Sequence, residues 1–231
     1  MRTPARKLAQ TSGDPGLRDR QKAERREIIL RSAEALFAEH GIDSTTISSI
    51  ADAAGVSPPT VFNYFGTKDN LLNSLIFEGV EVSRRRWASM QLQEHTSLAM
   101  SLTSFLAEVT EKTIEIAGKR VWRYAEAAFI RHPNTEFESR FRQLDSQMIE
   151  EMARFFSAFE LRMRSGHPPD ALFLAKMFFD RWTAHYLAFI KNDAMTVAAH
   201  TKDLAVDIEK MVDLLFEDAC ALRPVLKPGA D

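Results

Sequence analysis

At 231 residues, with 45% hydrophobic and 27% charged residues, the chain has the make-up of one large globular domain or two smaller ones with a sizeable core. No apolar run approaches the roughly 20 residues of a membrane span, and the basic start MRTPARKLAQ lacks the apolar stretch of a secretory signal. The single cysteine, Cys220, excludes a disulfide framework and a cysteine-built zinc site, so the expected compartment is the cytoplasm and no metal or cofactor is expected.

The net charge of −2 hides an uneven distribution. Residues 1–31 carry nine Lys or Arg against four acidic residues, an excess of +5 at one end of a slightly acidic chain. Residues 1–17, with Pro4, Gly13, Pro15 and Gly16, read as a flexible basic arm. Such an arm is a feature of nucleic-acid binding and equally of a solvated tail.

From Arg18 the pattern is helical. Ile28, Ile29, Ser32, Ala33, Leu36 and Phe37 form an apolar stripe that ends at EHG, with Gly41 beyond the helix. Thr46 is placed to cap a short helix, ISSIADAAG, closed by Gly55. The segment GVSPPTVFNYFGTKDNLL then predicts a helix of about two turns. Ser57 stands at its cap with an oxygen for the Thr60 N–H, Pro58 at its first position, and Gly66 at its left-handed end. A helix so short is not stable alone. Thr67 caps the next helix, which runs through Leu71, Leu72, Leu75 and Ile76.

With Val61 taken as the inward direction and about 100° per residue, Phe65 also points inward. Pro59, Thr60 and Asn63 then point outward, with Phe62 and Tyr64 on the flanks. A short, rigid, polar helix face one tight turn after another short helix is the layout of a helix-turn-helix, whose second helix enters the DNA major groove. Lys68 opposes the dipole of the helix it begins, an arrangement that suits a bound phosphate.

The stretch TTISSIADAAGVSPPTVFNYFGTKDNLLNSL, with the preceding AERREIILRSAEALFAEHGIDSTT, resembles the DNA-binding region of the TetR family of bacterial repressors over about residues 22–76. Position by position, the resemblance implies DNA contacts from Thr46, Ser48, Pro58, Thr60, Phe62, Asn63, Tyr64 and Lys68. Two positions depart from the family pattern. Phe62 stands where a tyrosine hydroxyl usually reaches a phosphate, and Ser48 where arginine is frequent.

The remainder, to about Leu222, reads as long helices. Breaks are predicted at Glu94–Thr96, Gly118, His132-Pro133-Asn134, Gly166-His167-Pro168-Pro169 and Lys191–His200. The expected class is therefore all-α. The division is an arm at 1–17, a DNA-binding domain at 18–68, an effector-binding and dimerisation domain at 69–222 and a tail at 223–231. DALFLAKMFFDRWTAHYLAFI is apolar nearly all round and must be buried on several sides. The last helix offers Leu204, Ile208, Met211, Val212, Leu215 and Ala219 as a wide stripe, and with its predecessor suggests a homodimer interface; one thick monomer core is the alternative.

Trp122, Tyr124, Phe129, Phe156, Phe178, Trp182, His185, Tyr186 and Phe189 are candidates to line a pocket for a largely apolar small-molecule effector. Tyr124, Trp182 or His185 would supply orienting hydrogen bonds. A helical enzyme is the weakest reading. None of the six histidines has a glutamate three residues before it, and no glycine-rich phosphate loop is present. The expected function is a ligand-responsive repressor that binds palindromic double-stranded DNA. A protein of the same fold controlled by a protein partner, or by nothing, is the alternative.

Overall fold

The computed structural model describes residues 16–87, 96–131 and 135–227, with the backbone alone at 82–87. The arm up to residue 15, the break at 94–95, the break at His132-Pro133-Asn134 and the last four residues of the tail lie outside them. The described elements are α1 (Leu17–His40), α2 (Ile47–Ala54), α3 (Pro58–Phe65), α4 (Lys68–Trp87), α5 (Leu98–Arg131), α6 (Glu136–Ala158), α7 (Ala171–Lys191), α8 (Val197–Leu215) and α9 (Asp218–Leu222). The all-α class follows the sequence pattern.

In the head, α1 buries Ile29, Leu30, Ala33 and Phe37, α2 buries Ile50 and Ala51, and α3 buries Val61 and Phe65. Thr46 and Ser49 form a reciprocal cap, each side chain bonding the other's backbone N–H at 3.0 Å. Ser57 differs from expectation. The Thr60 N–H goes to the Ser57 carbonyl at 2.9 Å, and the Ser57 hydroxyl pairs instead with the Thr60 hydroxyl at 2.9 Å. With donors missing at Pro58 and Pro59, one tight turn already satisfies the only early N–H.

Helix α4 passes from the head into the larger body, burying Leu71, Leu72, Leu75, Ile76 and Phe77 on the way. At Gly79, α4 lies close against Ile116 of α5. A Cβ there would stand 2.5 Å from Ile116 Cγ2, a branched atom that cannot swing aside.

The break predicted at Gly118 is a bend inside α5, where that residue takes φ 64 and ψ 165. Thr110 and Thr113 return their hydroxyls to the carbonyls of Leu106 and Val109, a pattern that bends helices. The Trp122 indole donates across the bend to the Thr113 carbonyl at 2.7 Å. Immediately after it, Lys119 and Arg123 donate to carbonyls at the end of α7, and Arg120 to the Glu39 carbonyl at the end of α1.

Helix α6 ends at Ala158, well before the predicted Gly166 break. Residues 159–164, FELRMR, alternate apolar and charged side chains, a period of two that the sequence reading passes over. Phe159 and Leu161 are buried, and Glu160, Arg162 and Arg164 are exposed. This extended segment pairs antiparallel with 215–217 and 225–227, through Glu160 N–H to Val225 O at 2.8 Å and Arg164 N–H to Leu215 O at 2.9 Å. The tail begun at 223 is thus docked on the body, and the last long helix breaks at Phe216, which is fully buried on Phe156. Cys220 is buried and accepts the Arg162 N–H at 3.4 Å, the packed thiol that its apolar surroundings predict.

The wide stripe of α8 meets α5 of its own chain. Leu204 and Ile208 are fully buried there, so neither can form the proposed dimer interface. Met211 and Leu215 are half-buried against the same core, and Ala219 lies on the separate α9. The apolar side chains left outward on α7 and α8 are different ones: Leu172, Phe173 (61% exposed), Val206 (44%) and Leu214 (76%).

Candidate DNA-binding surface and buried cavity

Burial of Val61 and Phe65 sets the rotation of α3. Pro58, Pro59, Phe62 (63% exposed) and Asn63 consequently face solvent, with Thr60 and Tyr64 half-buried beside them. Thr46 and Ser48 at the start of α2 are exposed. The Thr46 hydroxyl is already engaged with Ser49, whereas the side chains of Pro58, Asn63 and Ser48 make no such contact among the described residues. Tyr64 packs its ring near Phe65, at 6.2 Å between centroids.

Lys68 departs from the reading of a cation awaiting a phosphate. Its ammonium donates to the carbonyls of Ile42 at 2.6 Å and Thr45 at 3.1 Å, in the loop between α1 and α2. The loop carbonyls supply the negative partner that the helix start lacks, and the lysine sews that loop to α4. Lys68→Ala should therefore lower stability by about 1–3 kcal/mol, because buried carbonyls lose a charged donor. Thermal unfolding without DNA checks this; an unchanged midpoint would return the lysine to a purely DNA-facing role.

A cavity of about 170 Å³ lies between α4, α5, α6 and α7. Of the residues predicted to line it, Trp122, Trp182 and Tyr186 do so. Phe156 and Phe178 are instead packed on each other, at 5.3 Å between ring centroids, and Phe189 lies against His200 at 4.9 Å. Phe129 stacks on Phe137, and Tyr124 stands beside Arg131. The expected orienting groups are also already engaged. The Trp182 indole donates to Thr110 Oγ1 at 2.9 Å, and His185 Nε2 lies 2.8 Å from Asp207.

What the sequence reading missed are the polar groups that do line the cavity, Glu126, Asp145, Glu151, Thr183 and Gln147. A signal was available. Glu126 falls one turn after Trp122, and Asp145 one turn after Phe141, each acid on the apolar face of its helix. These acids therefore sit on inward-facing stripes of α5 and α6 rather than on their solvent faces. Burial, and secondarily the charge of Asp145, raises Glu126 to about 7, and burial raises Asp145 to about 6. The hydroxyls of Tyr186 and Thr183 are buried without a hydrogen-bond partner among the described residues.

The sign of the pH effect follows. A carboxyl whose folded pKa is raised binds protons more tightly in the folded chain, so its stabilisation is present below the unfolded value. It is lost as pH rises through the folded value. For Glu126 that window runs from roughly pH 4 to about 7. Glu126→Gln should stabilise the unliganded protein at pH 8, by on the order of 1–3 kcal/mol, with the gain vanishing near pH 5. Thermal unfolding across that range reads it, and a variant less stable at pH 8 would show the carboxylate to be paired.

Residues 29–75 match the family model for bacterial regulatory proteins of the tetR family. The HTH-type transcriptional regulator YfiR of Bacillus subtilis is 27% identical over 103 residues, 45% of this chain and 49% of its own length. The HTH-type transcriptional repressor KstR2 of Rhodococcus jostii is 36% identical over 55 residues, 24% of this chain and 27% of its own. These matches span half or less of the relatives' length. A tetR-family transcriptional regulator from Streptomyces coelicolor shares the fold at a TM-score of 0.62 and 17% identity, over 83% of this chain and 82% of that one. The head, residues 29–75, thus matches the TetR family of bacterial regulatory proteins, and the whole chain is similar in fold to solved members of that family.

Proposed function

We propose that the protein is a transcriptional repressor that binds palindromic double-stranded DNA as a homodimer and is released by a small molecule held in the α4–α7 cavity. The observation that carries the reading is the fixed rotation of α3. With Val61 and Phe65 locked in the core, Pro58, Phe62 and Asn63 form a preorganised outward face of the size that fits a major groove. The repressor sign is supported by relatives of the same head that bear that name. Ser48, Thr60, Phe62 and Tyr64 would flank the groove, and Asn63 is the residue suited to reading a base, adenine above all.

Selection from a random duplex library is the test. The wild type should enrich a two-fold symmetric site, and binding should weaken steeply with salt. Asn63→Ala should relax the preference at one position of each half-site, by about 1–3 kcal/mol for a bidentate contact. Enrichment of no sequence would reject the proposal.

The dimer needs a surface that the chain itself leaves open. The outward face of α7 and α8 carries Phe173, Val206 and Leu214, and is stiffened by Asp207, which bonds both His185 and Arg181 across the two helices. Both bonds hold the Asp207 carboxyl below its usual range. Val206→Glu alters an exposed position, so the fold should tolerate it, yet it would place an unpaired charge in the interface. Monomers by sedimentation, with helical signal intact, are expected. A persisting dimer would move the interface to another face.

The presence of a cavity favours ligand control over control by a protein partner. Its route to DNA is short. Val80 lines the cavity and Lys68 holds the head, on one helix with about 18 Å between them.

A further inference from the structure

The cavity holds more unsatisfied polarity than an apolar guest could use. Glu126 on α5 and Asp145 on α6 face the same space, whose remaining walls are largely aromatic and aliphatic. Among the described residues no Lys, Arg or His lines it, and the third acid there, Glu151, is already paired with Arg154. Tyr186 also lines it and is only 4% exposed, and its hydroxyl and that of Thr183 are buried with no hydrogen-bond partner among the described residues. A neutral hydrocarbon would leave these groups unpaired, and an anion would be repelled by them.

The rings are arranged for a positive charge. Trp182 and Tyr186 stack at 5.2 Å with 18° between planes, and Trp122 meets Tyr186 edge-on at 6.4 Å and 78°. The indole N–H groups of both tryptophans are bonded elsewhere, so they contribute π surface and no donors. Aromatic faces beside carboxylates are a chemistry that holds ammonium groups.

We propose that the effector is an amphipathic organic cation, an amine or quaternary ammonium with an aromatic or alkyl body. Its head lies between Glu126 and Asp145, and its body against the Trp122, Tyr186 and Trp182 rings. The proposal rests on the reading of this cavity as the effector site and adds the chemical class.

Near neutral pH Glu126 is partly protonated, while Asp145 is mostly ionised. Burial lifts Glu126 to about 7 and Asp145 to about 6. Among the described residues, Lys191 and Tyr186 of α7 also lie within electrostatic reach of Glu126, and Glu151 of α6 lines the same cavity. Entry of a fixed cation ionises the acid, and the proton leaves to solvent as the ion pair forms. Affinity for such a cation should therefore rise with pH between 6 and 8, by up to about tenfold per unit for each proton released.

The test uses three probes of one shape, 4-phenylbutylammonium, 4-phenylbutan-1-ol and 4-phenylbutyrate, titrated calorimetrically into the full-length protein at pH 6, 7 and 8. The ammonium should bind at least tenfold more tightly than the alcohol at pH 8, and the carboxylate most weakly. Repeating the ammonium titration in buffers of different ionisation enthalpy should show proton release. Glu126→Gln and Asp145→Asn should each remove most of the preference for the ammonium while leaving the alcohol's affinity within about twofold, which separates lost charge recognition from a damaged fold. An alcohol or carboxylate that binds as well as the ammonium overturns the proposal. So does a preference that survives both substitutions together, or the failure of all three probes to bind. Operator affinity measured with saturating ammonium tests the underlying reading separately. An unmoved operator affinity would reject effector control while the cation selectivity stood.

Discussion

The ammonium of Lys68 reaches back across the head to the carbonyls of Ile42 and Thr45. The head depends on that tie. Helices α2 and α3 are each 8 residues long, too short to persist alone. Their shared core of Ile50, Val61 and Phe65 is small, so the loop before α2 must be held from outside. The lysine does this from the first turn of α4, the helix that also carries Gly79 against Ile116 and Val80 into the cavity. A shift of α4 at the cavity is thereby a shift of the loop that positions α2, with no flexible joint between.

The body is organised around a polar knot rather than a uniform apolar core. Thr110 on α5 receives the Trp182 indole of α7 at 2.9 Å and lies 3.0 Å from His200 Nε2 of α8. Burial holds His200 down at about 4, so it stays neutral and can be packed against Phe189. These bonds set the register of three helices and engage the polar ends of the very side chains that look suited to a ligand. The polar groups of the neighbouring cavity are the opposite case. Glu126, Asp145 and Tyr186 are desolvated with no partner among the described residues, an arrangement that costs stability unless a partner is supplied.

Helix caps, turn glycines and the inward direction of α3 were legible because they are local. Thr46, Thr67, Val61 and Phe65 act within one or two turns of where they stand. The family resemblance was legible for the same reason, since the head is one contiguous stretch. The extended segment after Ala158 was missed, although FELRMR alternates with period two, because its pairing partners lie more than fifty residues later at 215–217 and 225–227.

What the sequence by itself determined, then, is the all-α class, the helix-turn-helix head and which residues of α3 face outward, all consequences of periodicity and capping. Only the tertiary structure decided the destinations of long-range partners. Apolar stripes look alike whether they meet another helix of the chain or a second copy, so the burial of Leu204 and Ile208 against α5 could not be read in advance. Nor could the loop carbonyls that receive Lys68, or the fact that the Trp182 N–H is bonded to Thr110 while the Glu126 carboxyl is left lining the cavity. A hydrogen bond or a void is a relation among three or four helices, and its members are scattered along the chain with no spacing that marks them.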